Sequence, residues 1–404
     1  MRVRPLPQIG HAVPLRILTA GESHGPLLTT ILEGMPAGIP LTPEIINLDL
    51  ARRQVGYGSG GRMQIERDEV RITGGVMAGV TTGGPISLIV ENRDFKNWRD
   101  KDITALTTPR PGHADLTGAI KYGYRDLRIA LERASARETT MRVAAGAVCR
   151  QYLAQFGIQI GGYVTQIGDV HAALDDAQSY PARFEQAEAS DVRCPDSVAT
   201  EQMHKAVRQA KIDQDTLGGV MEIVALNVPP GLGSHVHYDR RLDGRLVAAM
   251  VSIQAMKGAE VGNAFEQAGW RGSQVHDDLY VDDDGNITRR TNRAGGLEGG
   301  ITTGDPIVVR VAMKPIATML RGADSVNLAT GEADRTVYER SDFCALPRAI
   351  PIGESMMAFV ITEVLMEKLG GDSIEEMLPR FQSLRRSNVK DLPVNNTLWR
   401  FGYV

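Results

Sequence analysis

The sequence has few of the features that would support a disulfide framework, a cysteine-based metal site or a membrane span. Its 404 residues include only Cys149, Cys194 and Cys344, and these never have Cys-x-x-Cys spacing. No stretch, at the N-terminus or later, has an apolar run typical of a signal peptide or a spanning helix. We therefore expect a cytoplasmic protein with no membrane partner and no bound metal.

Cationic charge and aromatic side chains are also scarce. The formal net charge is −4, the sequence pI is about 6.1 and aromatic residues make up 5% of the chain. A nucleic-acid-binding protein needs a basic surface, usually with aromatic platforms, so we predict no nucleic-acid partner. With 42% hydrophobic residues, the chain can bury a large core.

Arginine is nevertheless concentrated between residues 110 and 142. This stretch also contains His113 between a glycine and an alanine, and its arginines are Arg110, Arg125, Arg128, Arg133, Arg137 and Arg142. A local basic excess on an acidic protein suggests a small polyanionic ligand.

A helix is predicted within this stretch. Ser135 and Glu138 have the spacing of a capping box, and apolar residues at helical spacing follow until Gly157. We predict a helix that begins just after Ser135, with its N-terminus beside Arg133 and Arg137 as a seat for phosphate or carboxylate. The alternative is a surface helix whose arginines pair with nearby carboxylates.

Two glycine-rich segments are further candidates. Residues 21–25 (GESHG) predict a turn after a first strand, with His24 uncrowded and oriented by Glu22 or Ser23. Residues 56–62 (GYGSGGR) match the spacing of a dinucleotide fingerprint, but they follow a predicted helix and precede the strand-like residues 63–66. We interpret them as an anion-binding loop. For the histidine alone, an ordinary turn is the alternative.

An internal repeat predicts the architecture. Residues 74–86 and 295–307 are similar, each is followed by a β-branched run, and residues 35–39 resemble 228–232 more weakly. This favours two similar sheet-containing halves, although shared turn chemistry is an alternative. We predict peripheral helices at about 172–214, and core helices at 242–255 and 353–369.

Three separated blocks together resemble the chorismate synthase family. They are residues 110–139, which include RPGHAD, YGYRD and RASARET; residues 21–25; and residues 339–347, which include ERSD and ALP. The resemblance covers about Leu15 to Leu369 and implies an α+β fold, a β-α-β sandwich of two similar sheet-containing halves with helices packed between them. It implies an N-terminal extension at 1–14, one catalytic domain at 15–371 with a polar insert at about 172–214, and a C-terminal helix and tail at 372–404.

The resemblance also implies a reaction. Family members convert 5-enolpyruvylshikimate 3-phosphate to chorismate and phosphate by an anti-1,4-elimination, the last step of the shikimate pathway. They use reduced FMN without net redox change, NADPH is a candidate reductant, and they are typically homotetramers. The substrate carries a phosphate and two carboxylates, which suit planar arginine side chains that stay charged near neutral pH.

Site residues follow from the matching motifs. His24 would protonate the reduced flavin, His113 would assist the departing phosphate, and Asp342 would help the flavin N5 remove the C6 proton. The implied FMN contacts are Arg133, Ala134, Ser135, Gln254, Ala255, Gly299, Lys314, Pro315, Ile316, Ala317, Thr318 and Arg340. The implied substrate contacts are Arg53, Ser59, Arg62, Arg110 and Arg137. Ser59 stands where many members have arginine, which removes one expected anion contact.

Two other function classes agree less well with the sequence. A flavin or nicotinamide oxidoreductase with net hydride transfer would need a strand-loop-helix glycine motif, and residues 56–61 do not provide one. A non-catalytic binder of phosphorylated ligands or RNA would need aromatic platforms among the arginines.

Overall fold

The computed structural model describes residues 15–59, 67–336 and 342–402. The strands are β1 (Arg16–Ala20), β2 (Leu27–Glu33), β3 (Val70–Gly74), β4 (Val76–Met77), β5 (Val80–Thr81), β6 (Ile86–Glu91), β7 (Gln159–Ile167), β8 (Val170–His171), β9 (Gly219–Leu226), β10 (Met256–Val261), β11 (Leu279–Val281), β12 (Ile287–Arg289), β13 (Leu297–Glu298), β14 (Ile301–Thr302), β15 (Ile307–Met313), β16 (Asp324–Val326) and β17 (Ala333–Arg335). The helices are α1 (Pro43–Gln54), α2 (Asp115–Tyr122), α3 (Arg128–Ala134), α4 (Thr139–Ala154), α5 (Tyr180–Ala189), α6 (Ser197–Ile212), α7 (Leu242–Val251), α8 (Ala264–Gln267), α9 (Gly272–Val275), α10 (Leu346–Leu369) and α11 (Ile374–Gln382).

Two antiparallel sheets form the outer layers. The first has the strand order β1-β2-β6-β3 and the second β10-β15-β9-β7-β8. In β6, the alternating residues Ile86, Leu88 and Val90 are buried, so one face of the first sheet packs inward. In the second sheet, β9 buries consecutive residues because α5 covers part of its outer face, where Phe184 packs with Val224 and Tyr163.

Helices α1, α4, α7 and α10 lie between the sheets. α4 packs on β2 and β6 of the first sheet, α10 packs on β7 and β9 of the second, and the two helices contact each other. The expectation that no segment is apolar enough to span a membrane is wrong for α10, which by length and composition could cross one. However, 78% of its most apolar window is buried inside the fold. The predicted α+β fold, with helices between two sheets, is confirmed.

The repeat is visible in equivalent hydrogen bonds. The Thr81 Oγ1 donates to Pro36 O (2.6 Å) and accepts from Ile39 N (3.0 Å). The Thr302 Oγ1 does the same with Pro229 O (2.7 Å) and Leu232 N (2.9 Å). Each threonine ends the second strand of a short hairpin, β4–β5 or β13–β14. The similar segments, residues 74–86 and 295–307, therefore form the same hairpin in both halves.

Three helix boundaries differ from the predictions. α7 ends at Val251 rather than 255, because Ala255 takes a left-handed φ of 67° as the chain turns into β10. α10 begins at Leu346 rather than 353, since Pro347 lies in the first turn, where a missing N–H costs no helical hydrogen bond. The third boundary, near Ser135, lies within the candidate active site. The extension at 1–14 and the strand predicted at 63–66 lie outside the described residues.

The closest approach of α4 and α10 gives a stability prediction. A Cβ added at Gly146 would lie 2.2 Å from the Ser355 Cβ. We expect Gly146→Ala to destabilise the protein by about 1–3 kcal/mol, because the overpacking outweighs the gain in helix propensity. Urea unfolding measures the change. Gly244→Ala in α7 is the matched control, since its added Cβ meets no atom within 4 Å. A Gly146→Ala variant as stable as the Gly244→Ala control would contradict the packing.

Candidate active site

The predicted site residues that the structure describes fall mainly into three clusters. The His24 cluster is Thr19, His24, Glu132, Arg133, Glu138 and Gln254. The His113 cluster is Arg110, His113, Asp115, Lys314 and Thr318. The Arg53 cluster is Arg53, Asp68, Asn92, Arg137, Asp342 and Arg348. Arg62 and Arg340 lie outside the described residues.

In the His24 cluster, the catalytic candidate is held by a carboxylate from α3. Glu132 accepts from the His24 backbone N–H (2.7 Å), and its other oxygen lies 2.7 Å from His24 Nδ1. Burial would raise the pKa of Glu132, but the hydrogen bonds from His24 lower it below its usual value. The side chain that holds the imidazole is thus Glu132, where the turn sequence suggested Glu22 or Ser23.

Around His24, polar side chains connect β1 to α3, to the turn before α4 and to the residues after α7, and Glu138 is the buried member of this group. Arg133 donates to the backbone oxygen and hydroxyl of Thr19, both at 2.8 Å. Glu138 accepts from the Thr19 hydroxyl (2.7 Å) and from Gln254 Nε2 (3.0 Å). The Gln254 Oε1 is buried and has no hydrogen-bond partner among the described residues. It is therefore an acceptor available to a ligand.

The helix predicted after Ser135 begins later. Ser135 caps a short 3-10 turn by accepting from Arg137 N (3.3 Å), and α4 starts at Thr139. The capping box is not closed, because the Glu138 carboxylate is engaged by Thr19, Gln254 and Arg142. At this helix start, the Arg53 guanidinium donates to Ala136 O and to the Thr139 hydroxyl.

The His113 cluster contains a second histidine–carboxylate pair. His113 Nδ1 lies 2.6 Å from Asp115 Oδ1. Arg110 donates from its Nε (2.8 Å) and its backbone N–H (3.0 Å) to the other oxygen of Asp115. Burial would raise the pKa of Asp115, but hydrogen bonds from His113 and Arg110 hold it well below the usual range. Arg110 also donates to the Thr318 hydroxyl (3.2 Å), and Lys314 Nζ donates to Gly112 O (2.6 Å).

The low pKa of Asp115 predicts a pH dependence of stability. A carboxylate whose pKa is lower in the folded state stabilises the fold above its unfolded pKa of about 3.9 and loses this contribution as the pH falls. The free-energy difference between wild type and Asp115→Asn should therefore be full above about pH 5 and shrink below about pH 4. Denaturant unfolding across this range measures it. The exposed Asp283 provides the control, Asp283→Asn. A pH-independent difference for Asp115→Asn would contradict the ionised pair.

The Arg53 cluster is buried and rich in positive charge. Arg137 donates to both oxygens of Asp68, at 2.6 and 2.8 Å, and to Asn92 Oδ1. Arg53 lies 3.6 Å from the same Asp68 carboxylate. Burial, then Arg348, lowers the pKa of Arg53, although a guanidinium stays charged in proteins. In the described part of the cluster, three guanidiniums face two carboxylates, so the site favours an added anion.

Arg348 and the glycine-rich loop complete this cluster. Arg348 donates to Asp342 Oδ2 (2.6 Å) and to Arg53 O (3.1 Å). Phe343 N donates to Gly58 O (2.9 Å). This bond places the segment Gly58-Ser59 beside the segment Asp342-Phe343. The sequence analysis did not identify Arg348. Only its position directly after the last motif block, residues 339–347, could have indicated it.

Several contacts make the clusters neighbours. The Ser135 hydroxyl donates to that of Ser23 (3.1 Å), next to His24, while Arg53 reaches Ala136 O. Lys314 N donates to Ala255 O (3.0 Å), which joins the loop after β15, Pro315 to Ala317, to the residue after Gln254. Ala134 ends α3, directly before Ser135.

Gly299 is the described candidate that these contacts do not include. It lies at the tip of the β13–β14 hairpin, with a left-handed φ of 60°. The neighbouring Gly300 O accepts from Leu242 N (3.0 Å) at the start of α7, whereas Gln254 follows the end of that helix. Ten residues of α-helix span about 15 Å. Within one chain, the structure thus places Gly299 apart from the His24 cluster.

Comparisons with known proteins agree with each other. The family model described as chorismate synthase matches residues 15–366. A protein from Symbiobacterium thermophilum named chorismate synthase is 52% identical over 382 residues, covering 91% of this chain and 98% of the relative. One of the same name from Aquifex aeolicus is 50% identical over 384 residues, covering 91% and 96%. A solved structure titled "Crystal Structure of Chorismate Synthase" superposes with a TM-score of 0.75 at 44% identity, covering 92% of this chain and 97% of the other.

Proposed function

The chain belongs to the chorismate synthase family, and we propose that it eliminates phosphate from 5-enolpyruvylshikimate 3-phosphate at the three clusters described above. Family membership makes it a lyase of aromatic biosynthesis. The observation that carries the site assignment is the convergence of two histidine–carboxylate pairs with a buried, arginine-rich cluster. A small ligand with three anionic groups fits this combination of charge and proton-transfer groups.

Fixed guanidiniums bind the substrate in this proposal. Arg110 is held by Asp115 beside His113, so it presents a preorganised positive charge next to a proton-transfer group. The guanidinium of Arg137 is engaged by Asp68 and Asn92, so it acts on an anion mainly through its field. Arg53, Ser59 and Arg62 complete the predicted substrate contacts, and Arg340 remains a predicted FMN contact. Arg62 or another basic group, such as Arg348, would supply the cation that Ser59 lacks, or the affinity for the anion would be lower.

The two imidazoles move protons in the proposed mechanism. Asp115 fixes the His113 ring through Nδ1, so that His113 assists departure of the phosphate. Glu132 fixes the His24 ring in the same way, so that His24 can hold or move a proton beside the residues that would hold reduced FMN. Asp342, positioned by Arg348, would assist removal of the C6 proton from the substrate.

Reduced FMN fits the residues at the His24 cluster. The Gln254 Oε1 is a buried acceptor without a partner in the described chain. The backbone N–H of Lys314 contacts Ala255 O, while its ammonium group donates to Gly112 O. When bound, the cofactor would lend electron density to the allylic system that loses phosphate. Arg133 to Ser135, Gln254, Ala255 and Lys314 to Thr318 would hold it, with NADPH as a candidate reductant. Gly299 lies apart from the His24 cluster within one chain, so it would contact FMN only in an arrangement that the contacts described above do not include.

An anaerobic assay tests the reaction. With dithionite-reduced FMN, the chain should release phosphate and form chorismate in equal amounts, without net oxidation of the flavin. The same mixture with oxidised FMN should give no product. Stoichiometric oxidation of reduced flavin or of NADPH would instead support the oxidoreductase alternative, and no phosphate release would reject the proposal.

We also propose the assembly and location typical of the family, a homotetramer in the cytoplasm. Light scattering during size-exclusion chromatography should give four times the chain mass of 43.9 kDa. A monomeric mass at all concentrations would contradict the proposed assembly.

A further inference from the structure

Trp98 lies directly on the ring of His24. The two ring centroids are 4.0 Å apart, and their planes are tilted by 34°. The tryptophan comes from the polar segment that follows β6. This segment contains a 3-10 turn, Arg93–Asn97, and Trp98 follows it directly.

The indole is itself held in place. Trp98 Nε1 donates to Asp94 Oδ2 (2.9 Å), its backbone N–H donates to Phe95 O (2.9 Å), and Lys101 Nζ lies 5.2 Å from the ring centroid. Asn92, at the base of the segment, donates from its side chain to Gly25 O (2.7 Å). The segment is therefore fastened to the turn that carries His24, and the tryptophan is not a freely moving surface side chain.

We propose that Trp98 is a positioning residue for His24, which covers one face of the imidazole while Glu132 holds Nδ1. The two contacts act on different degrees of freedom. The carboxylate fixes rotation in the plane of the ring, and the indole prevents the ring from tipping and excludes water from that face. The catalytic purpose of this arrangement rests on the proposed function, but the contact itself does not.

Tryptophan fluorescence tests the contact without cofactor or substrate. The sequence contains three tryptophans, and the other two, Trp270 and Trp399, are 37% and 80% exposed. A Trp270→Phe/Trp399→Phe background leaves Trp98 as the sole indole. Adding His24→Ala should shift its emission to longer wavelengths and increase quenching by acrylamide, because water replaces the imidazole. His237→Ala, which removes an exposed ring that stacks on Tyr238, is the control and should change neither quantity. Emission unaffected by His24→Ala would overturn the proposal.

Kinetics test the positioning role. Trp98→Ala should lower kcat by about ten- to a hundredfold with KM nearly unchanged, the range expected when a reacting group is slightly misplaced. Trp98→Phe keeps a flat ring on the imidazole and should restore most of the kcat. A purely structural anchor would reduce the folded fraction but leave kcat per folded molecule at the wild-type value, and that result would overturn the proposal. Wild-type protein that releases no phosphate would reject the proposed function, and with it the catalytic purpose of the contact, whatever the fluorescence shows.

Discussion

Replacing His113 with alanine is expected to lower kcat by about two to four orders of magnitude, the usual contribution of a general acid or base. The loss should be chemical and not structural. Without the imidazole, Asp115 keeps its hydrogen bonds to the Arg110 backbone and guanidinium, so the buried carboxylate remains paired. Circular dichroism and the thermal midpoint should therefore stay close to wild type while phosphate release is lost.

His24→Ala should lower kcat by a factor of the same order, because it removes the imidazole that acts in the second proton-transfer step. Exposed histidines serve as controls, and His237→Ala, which removes a surface pair with Asp239, should leave kcat unchanged. If His113→Ala or His24→Ala turned over at near the wild-type rate, that histidine would have no place in the mechanism.

The largest stability effect is expected at Asp68. Its side chain is 1% exposed, and it is the carboxylate between Arg53 and Arg137, whose side chains are 4% and 6% exposed. Asp68→Ala would leave two buried guanidiniums close together without this counter-charge, and removing one partner of a buried ion pair typically costs about 3–5 kcal/mol. Denaturant unfolding measures the change.

The next residue along the chain provides the matched control. Glu69 is 57% exposed and pairs with Arg93 at 3.3 Å, so Glu69→Ala should cost no more than about 1 kcal/mol. Phosphate in the buffer should restore part of the stability of Asp68→Ala, because an anion can replace the lost charge. Equal stability of the two variants would show that the Arg53 cluster does not depend on Asp68.

Local patterns in the sequence were enough to predict some elements of the fold. The first strand predicted before the turn at residues 21–25 is confirmed as β1, and the peripheral helices predicted at about 172–214 are confirmed as α5 and α6. The prediction of a closed capping box at Ser135 was wrong for a physical reason. The buried Glu138 carboxylate forms hydrogen bonds with distant side chains and not with the backbone of Ser135. Glu138 pairs with Thr19 and Gln254, which lie more than one hundred residues away in opposite directions.

The groups that position the predicted residues could not be found in this way. Glu132 lies 108 positions from His24, and Asp68 lies 69 positions from Arg137. Neither pairing leaves a local pattern, because each joins segments that are distant along the chain and meet only in the folded protein. Trp98 was hidden for the same reason, since its segment is polar and the ring it covers belongs to another part of the chain.

A crystal structure of the chain with FMN and 5-enolpyruvylshikimate 3-phosphate tests most directly whether the three clusters form one site. We predict that the two ligands lie against each other, with the substrate phosphate near Arg110 and His113, and the flavin ring near His24 and Gln254. Ligands bound away from these side chains, or His24 and His113 on separate surfaces without a shared ligand, would contradict the account.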